Sequence, residues 1–112
     1  MDMVVDELDG GITNVTLRGR LDLLGAQTID LPFSEIADSK NAVLVDLSEV
    51  DFLASLGMRV LLTSAKAVHR KGGRLAMVVP EGNVLMVLKT AGLDTIIPIF
   101  QERDAAIAAV VL

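Results

Sequence analysis

Val43-Leu44-Val45-Asp46-Leu47-Ser48-Glu49-Val50-Asp51-Phe52-Leu53-Ala54-Ser55-Leu56-Gly57-Met58 is the stretch on which the fold turns. Its first five residues are rich in β-branched side chains and almost wholly apolar, so they offer no face to water. Such a run suits a strand covered on both faces, as in the centre of a largely parallel sheet. Past Leu56 the period changes. Met58, Leu61, Leu62, Ala65 and Val68 mark one side of a helix reaching Lys71, while Arg59, Thr63, Lys66 and Arg70 mark the other. The basic run His69-Arg70-Lys71 matches the negative C-terminal end of that helix, and Gly72-Gly73 supplies a left-handed stop. A buried strand feeding an amphipathic helix is the repeating unit of an α/β fold.

Toward the N-terminus, Met3 to Leu8 and Ile12 to Arg18 read as two strands of a hairpin turning at Asp9-Gly10-Gly11, where glycine tolerates the positive φ of a tight turn. Ile12, Val15 and Leu17 are the apolar residues of the second strand, but Asn14-Val15 breaks the alternation and leaves the register open. Gly19-Arg20-Leu21-Asp22 follows as a turn. Leu24 to Ala37 has helical spacing at Ile29, Phe33, Ile36 and Ala37, and Pro32, lacking an N–H, predicts a kink or two short helices.

Toward the C-terminus, Leu75 to Val79 is a fourth strand ended by Pro80, Asn83 to Ala91 a helix stopped by Gly92, Ile96 to Phe100 a fifth strand and Asp104 to Val111 a last helix. The expected architecture is α/β: one domain over residues 1–112, with a mixed sheet of about five strands. An N-terminal hairpin leads into alternating strands and helices, and the helices pack mainly on one face.

The 112 residues, 52% of them hydrophobic, suffice for one core of ordinary size. With no cysteine and one histidine, thiolate chemistry is absent and a dedicated metal site is not expected. A net charge of −5 and 3% aromatic residues disfavour nucleic acid, whose phosphates repel such a surface and whose bases need stacking platforms. Four acidic residues between Met1 and Asp9 do not fit a secretory signal, and no apolar run approaches the ~18 residues of a membrane span, so a cytoplasmic protein without membrane insertion is expected. The five methionines, among them Met58, Met77 and Met86, are assigned to core packing. Ala105 to Leu112 is entirely apolar; a helix cannot bury every side of it, which leaves surface for a partner or a second copy.

Chemistry concentrates at Ser55. By position it is an N-cap, its hydroxyl accepting from an otherwise unpaired N–H of the following helix. Ala54 and Gly57 leave the surrounding backbone uncrowded, and Leu56 lies off the apolar stripe, available to a partner. Asp46, Glu49 and Asp51 read as a solvated acidic rim rather than a metal cluster. Catalysis is not expected. Ser55 lacks the Gly-x-Ser-x-Gly frame, and His69 lies about 20 Å further along the helix. The glycine pairs form no phosphate-binding loop.

Asp51-Phe52-Leu53-Ala54-Ser55-Leu56-Gly57 resembles the phosphorylation-loop motif of the STAS domain, the family of bacterial anti-sigma factor antagonists, with Ser55 at the phosphorylatable serine. Gly19-Arg20-Leu21-Asp22, Gly72-Gly73 and Thr90-Ala91-Gly92-Leu93 resemble further turns of that family, and the element order agrees. The resemblance implies a partner-switching regulator. The unphosphorylated domain binds an anti-sigma factor that is also a serine kinase with an ATP-binding fold; phosphorylation of Ser55 releases it, and a metal-dependent serine phosphatase restores it. ATP and metal then belong to the partners, and the domain itself carries no cofactor. The contact residues implied are Asp22, Asp51, Ala54, Ser55, Leu56, Gly57, Met58 and Arg59. The family commonly has Asp before the serine and Ser or Thr after it, where this chain has Ala54 and Leu56. Those departures favour a second expectation, an unphosphorylated STAS accessory subunit of a transporter or signalling scaffold.

Overall fold

In the computed structural model, which describes residues 1–112, the stretch from Ala42 to Leu53 is one long strand. In chain order the elements are β1 (Asp2–Leu8), β2 (Ile12–Leu21), α1 (Leu23–Ser39), β3 (Ala42–Leu53), α2 (Ser55–Arg70), β4 (Arg74–Val78), α3 (Asn83–Thr90), a 3-10 turn (Leu93–Thr95), β5 (Ile99–Phe100) and α4 (Arg103–Val110). The five strands form one mixed sheet in the order β1-β2-β3-β4-β5. The β1-β2 hairpin is antiparallel and every later pairing is parallel.

That order rises steadily along the chain. Successive right-handed crossovers in one direction place their helices on the same side of the sheet. Accordingly α1, α2 and α3 share the main core, in which Ile29, Phe33, Leu61, Val68 and Leu88 meet Val15, Val43, Val45 and Met77. Only α4, which follows the last strand, folds back over the opposite face, where Ala106 and Val110 cover Leu44, Ala76 and Val78. Both faces of β3 are therefore covered, which is why its first residues carry no polar alternation.

Several expectations change, and the fifth strand, expected over Ile96–Phe100, shortens to Ile99–Phe100 because Ile96 closes the 3-10 turn before it. β3 continues six residues beyond Leu47 because it contains two irregularities against β2: Asp46 and Glu49 sit opposite Thr16 and Arg18, and Val50 and Phe52 opposite Gly19 and Arg20. Each inserts one residue into β3, so the core-facing positions run Val43, Val45, Leu47, Val50, Leu53. The spacing passes from two to three and no longer resembles a strand. Asp46 Oδ1 accepts the Ser48 N–H at 2.9 Å, pairing a donor at the first bulge. β2 likewise extends through the expected turn to Leu21, and its buried Ile12-Thr13-Asn14-Val15 run reflects cover on both faces.

Helix α1 is continuous through Pro32. The missing bond would have gone to the Thr28 carbonyl, but Thr28, Leu31 and Pro32 are all exposed, so water can satisfy that oxygen. Met77 is in the core and Met58 packs partly against it, but Met86 is 66% exposed, contrary to its assignment. At the C-terminus α4 buries one side, and Val111 and Leu112 remain exposed.

Candidate functional site

β2 and β3 end level, with Leu21 paired to Leu53, so α1 and α2 start side by side at the C-terminal edge of the sheet. The Ala54 N–H donates to the Leu21 carbonyl at 2.9 Å and ties the two starts together. Gly57 completes the join: a Cβ there would lie 2.6 Å from Leu21 Cγ and 2.9 Å from the Leu21 carbonyl oxygen. Only a residue without a side chain lets α2 approach β2 this closely. Gly57 is buried, so it acts by positioning the helix and presents no surface to a partner.

Ser55 is not the N-cap. Ala54 holds the extended cap conformation and its carbonyl accepts from Met58 N–H at 3.1 Å, which makes Ser55 the first helical residue. No side chain caps α2, and no acidic residue lies in its first turn. The Ser55 side chain is exposed and makes no intramolecular hydrogen bond. It therefore sits at the positive end of a 16-residue helix whose first N–H groups are not taken by any side chain.

Asp22 does cap its helix. Its Oδ1 accepts the Gly25 N–H at 2.8 Å, and Arg20 Nε lies 3.7 Å from Oδ2. That N–H first, then the Arg20 charge, hold the Asp22 carboxyl below its ordinary pKa. Arg20 also stacks over Phe52, its guanidinium carbon 4.3 Å from the ring centroid. Ala54, Leu56 and Met58 are half-buried, Leu56 and Met58 packing partly against the core, while Asp51 and Arg59 are exposed. Leu56 is thus less free than its place off the stripe suggested. The three acids read as one rim also separate: Asp46 pairs with Arg103 at 3.3 Å, Glu49 with Arg18 at 2.8 Å, and only Asp51 stands free.

The sequence reading missed the apolar surface beside Ser55. Leu23 and Leu24 are 61% and 71% exposed at the start of α1, and Phe52 is 36% exposed at the end of β3. A signal existed: Leu23-Leu24 follows a capping Asp, and Leu24 lies off the face set by Gly25, Ile29 and Phe33. The steady strand order leaves no reversal point at this edge of the kind where α/β sheets hold nucleotides. The cavity there, between β3 and the start of α3, measures only about 130 Å³.

The STAS domain profile matches residues 3–106. The chain belongs to the STAS domain family. A candidate anti-sigma factor antagonist of Bordetella bronchiseptica, BtrV, is 28% identical over 110 residues, covering 97% of this chain and 94% of its own. The anti-sigma-F factor antagonist RsfB of Mycobacterium tuberculosis is 29% identical over 104 residues, covering 89% and 82%. Among solved structures, an anti-sigma factor antagonist from Mycobacterium paratuberculosis superposes with a TM-score of 0.87 at 27% identity, covering 97% of this chain and 92% of that one. These similarities run nearly the full length of the chain, with the edge bearing Ser55 inside the matched region. No helix is long and apolar enough to cross a membrane.

Proposed function

We propose that this STAS domain is an anti-sigma factor antagonist acting in the cytoplasm, and that Ser55 is its switch. The observation that carries this reading is an exposed serine, without a hydrogen bond of its own, at the uncapped start of α2 beside exposed Leu23, Leu24 and Phe52. The apolar side chains supply docking area, and Asp51 and Arg59 supply charge at its margin. The partner is an anti-sigma factor that is also a serine kinase with an ATP-binding fold.

Phosphate on Ser55 adds about −1.5 to −2 charges. In the free domain the helix dipole and unpaired N–H groups accommodate that charge, and Arg59, four residues on, shares the same helix face. In the docked complex the same dianion must lose its water against an apolar surface, so binding fails while the fold survives. Hydrolysis by a metal-dependent serine phosphatase resets the cycle. Incubation with the cognate kinase and ATP, followed by mass spectrometry, tests the assignment: modification at Ser55 is expected, and a stable complex with no modification contradicts it. That second result supports an accessory subunit of a transporter or scaffold, the role favoured by Ala54 and Leu56 where the family commonly has Asp and Ser or Thr.

A further inference from the structure

A second cavity, larger than the one beside β3, lies at the other end of α2, away from Ser55. It measures about 510 Å³ and opens between the last turns of α2, the start of β4 and the segment before β5. Its walls combine two chemistries. Ala65, Leu75, Ile96 and Pro98 give an alkyl surface, whereas Lys66, His69, Arg70 and Arg74 bring nitrogen donors. Ile96 is 54% exposed at this site, an apolar side chain that the fold does not use.

The basic side chains here are not neutralised by an acidic neighbour. The chain holds 15 acidic and 10 basic residues, yet none of its four ion pairs involves Lys66, Arg70 or Arg74. Their internal bonds go to backbone carbonyls: Arg70 Nε to Lys66 O at 3.4 Å and Arg74 Nη1 to Val111 O at 2.7 Å. The negative end of α2 accounts for His69 and Arg70 in its last turn. It does not account for Lys66 a turn earlier, for Arg74 on a strand, or for the apolar cavity they enclose.

We propose that this cavity binds a single-chain amphipathic anion, an alkyl chain bearing a carboxylate or phosphate head. The volume falls in the ordinary range of small-molecule sites, about 300–1,000 Å³. The chain lies on Ala65, Leu75, Ile96 and Pro98, and the head meets Lys66, Arg70 and Arg74. No Phe, Tyr or Trp lines the cavity, and an alkyl chain needs only the aliphatic wall that Ala65, Leu75, Ile96 and Pro98 provide.

Amide chemical shifts, followed during titration with decanoate, decyl phosphate, 1-decanol and inorganic phosphate, test this. Either amphipathic anion should shift residues 65–75 and 96–98, saturate at one equivalent, and bind at least about tenfold tighter than 1-decanol or inorganic phosphate. Preference for decanoate marks a fatty-acid ligand, and preference for decyl phosphate a lipid phosphate. The exposed double variant Lys66→Glu/Arg70→Glu should lose about tenfold or more while its thermal unfolding remains cooperative, and Ile96→Glu, also at the surface, should lose a similar factor. No shifts at these residues, equal binding of 1-decanol, equal binding of inorganic phosphate, or affinity untouched in both variants would each overturn the proposal.

Discussion

Ser55 follows a cap residue, Ala54, whose side chain has no oxygen, and the Ala54 N–H is committed to Leu21. The helix consequently starts one residue earlier than the Ser55 pattern suggests. That bond joins residues 33 positions apart, so nothing local in the sequence announces it. The position of the candidate switch was legible to within one residue; its release from capping was not. Ser55→Ala should therefore leave stability within about 0.5 kcal/mol of wild type in urea denaturation, whereas loss of a real cap costs about 1 kcal/mol. Gly57→Ala should instead destabilise by about 1–3 kcal/mol, because its methyl meets Leu21. At Leu24, which is exposed, Ala should weaken partner binding about fivefold, near 1 kcal/mol, with an unchanged unfolding midpoint. Asp22 should show its cap through pH. Its pKa is lowered on folding, so its contribution to stability is complete above the ordinary carboxylate value and is lost as pH falls through the lowered one. The stability gap between wild type and Asp22→Ala, measured by urea denaturation against pH, should narrow on acidification.

At the scale of the element, β3 and α1 show what periodicity conveys and what it conceals. Val43 to Leu47 was readable because cover on both faces demands a continuous apolar run. Val50 and Leu53 were not, because two bulges convert a strand's spacing of two into three, which suggests a helix or a loop. Those bulges depend on the register with β2 and are invisible without it. They also turn Phe52 outward into the cation-π stack with Arg20, at the border of the candidate docking surface. In α1 the breaker residue was visible but its cost was misjudged, since Pro32 lies on the solvent side. Pro32→Ala restores a hydrogen bond to the Thr28 carbonyl and should raise unfolding stability by about 1–3 kcal/mol in urea denaturation. A loss of stability would show that proline's restriction of the unfolded chain outweighs the missing bond.

At the scale of the molecule, the strand order does two things at once. It stacks three helices on one face, and it brings the starts of α1 and α2 together at one edge, where Leu23, Leu24, Phe52 and Ser55 surround the level ends of β2 and β3. The fold class, the element order and the hairpin followed from sequence pattern because each depends on neighbours along the chain. The apolar surface and the basic cavity did not, because each is assembled from segments that meet only in the folded sheet. α2 spans the two sites, Ser55 at its start and Lys66, His69 and Arg70 near its end. Titration calorimetry of the cognate anti-sigma factor kinase against wild type, Ser55→Ala and Ser55→Asp bears most directly on the switch. Wild type and Ser55→Ala should bind alike, and Ser55→Asp should lose more than about tenfold, roughly 1.4 kcal/mol, with its circular dichroism unchanged; equal affinity for all three would contradict a switch at Ser55.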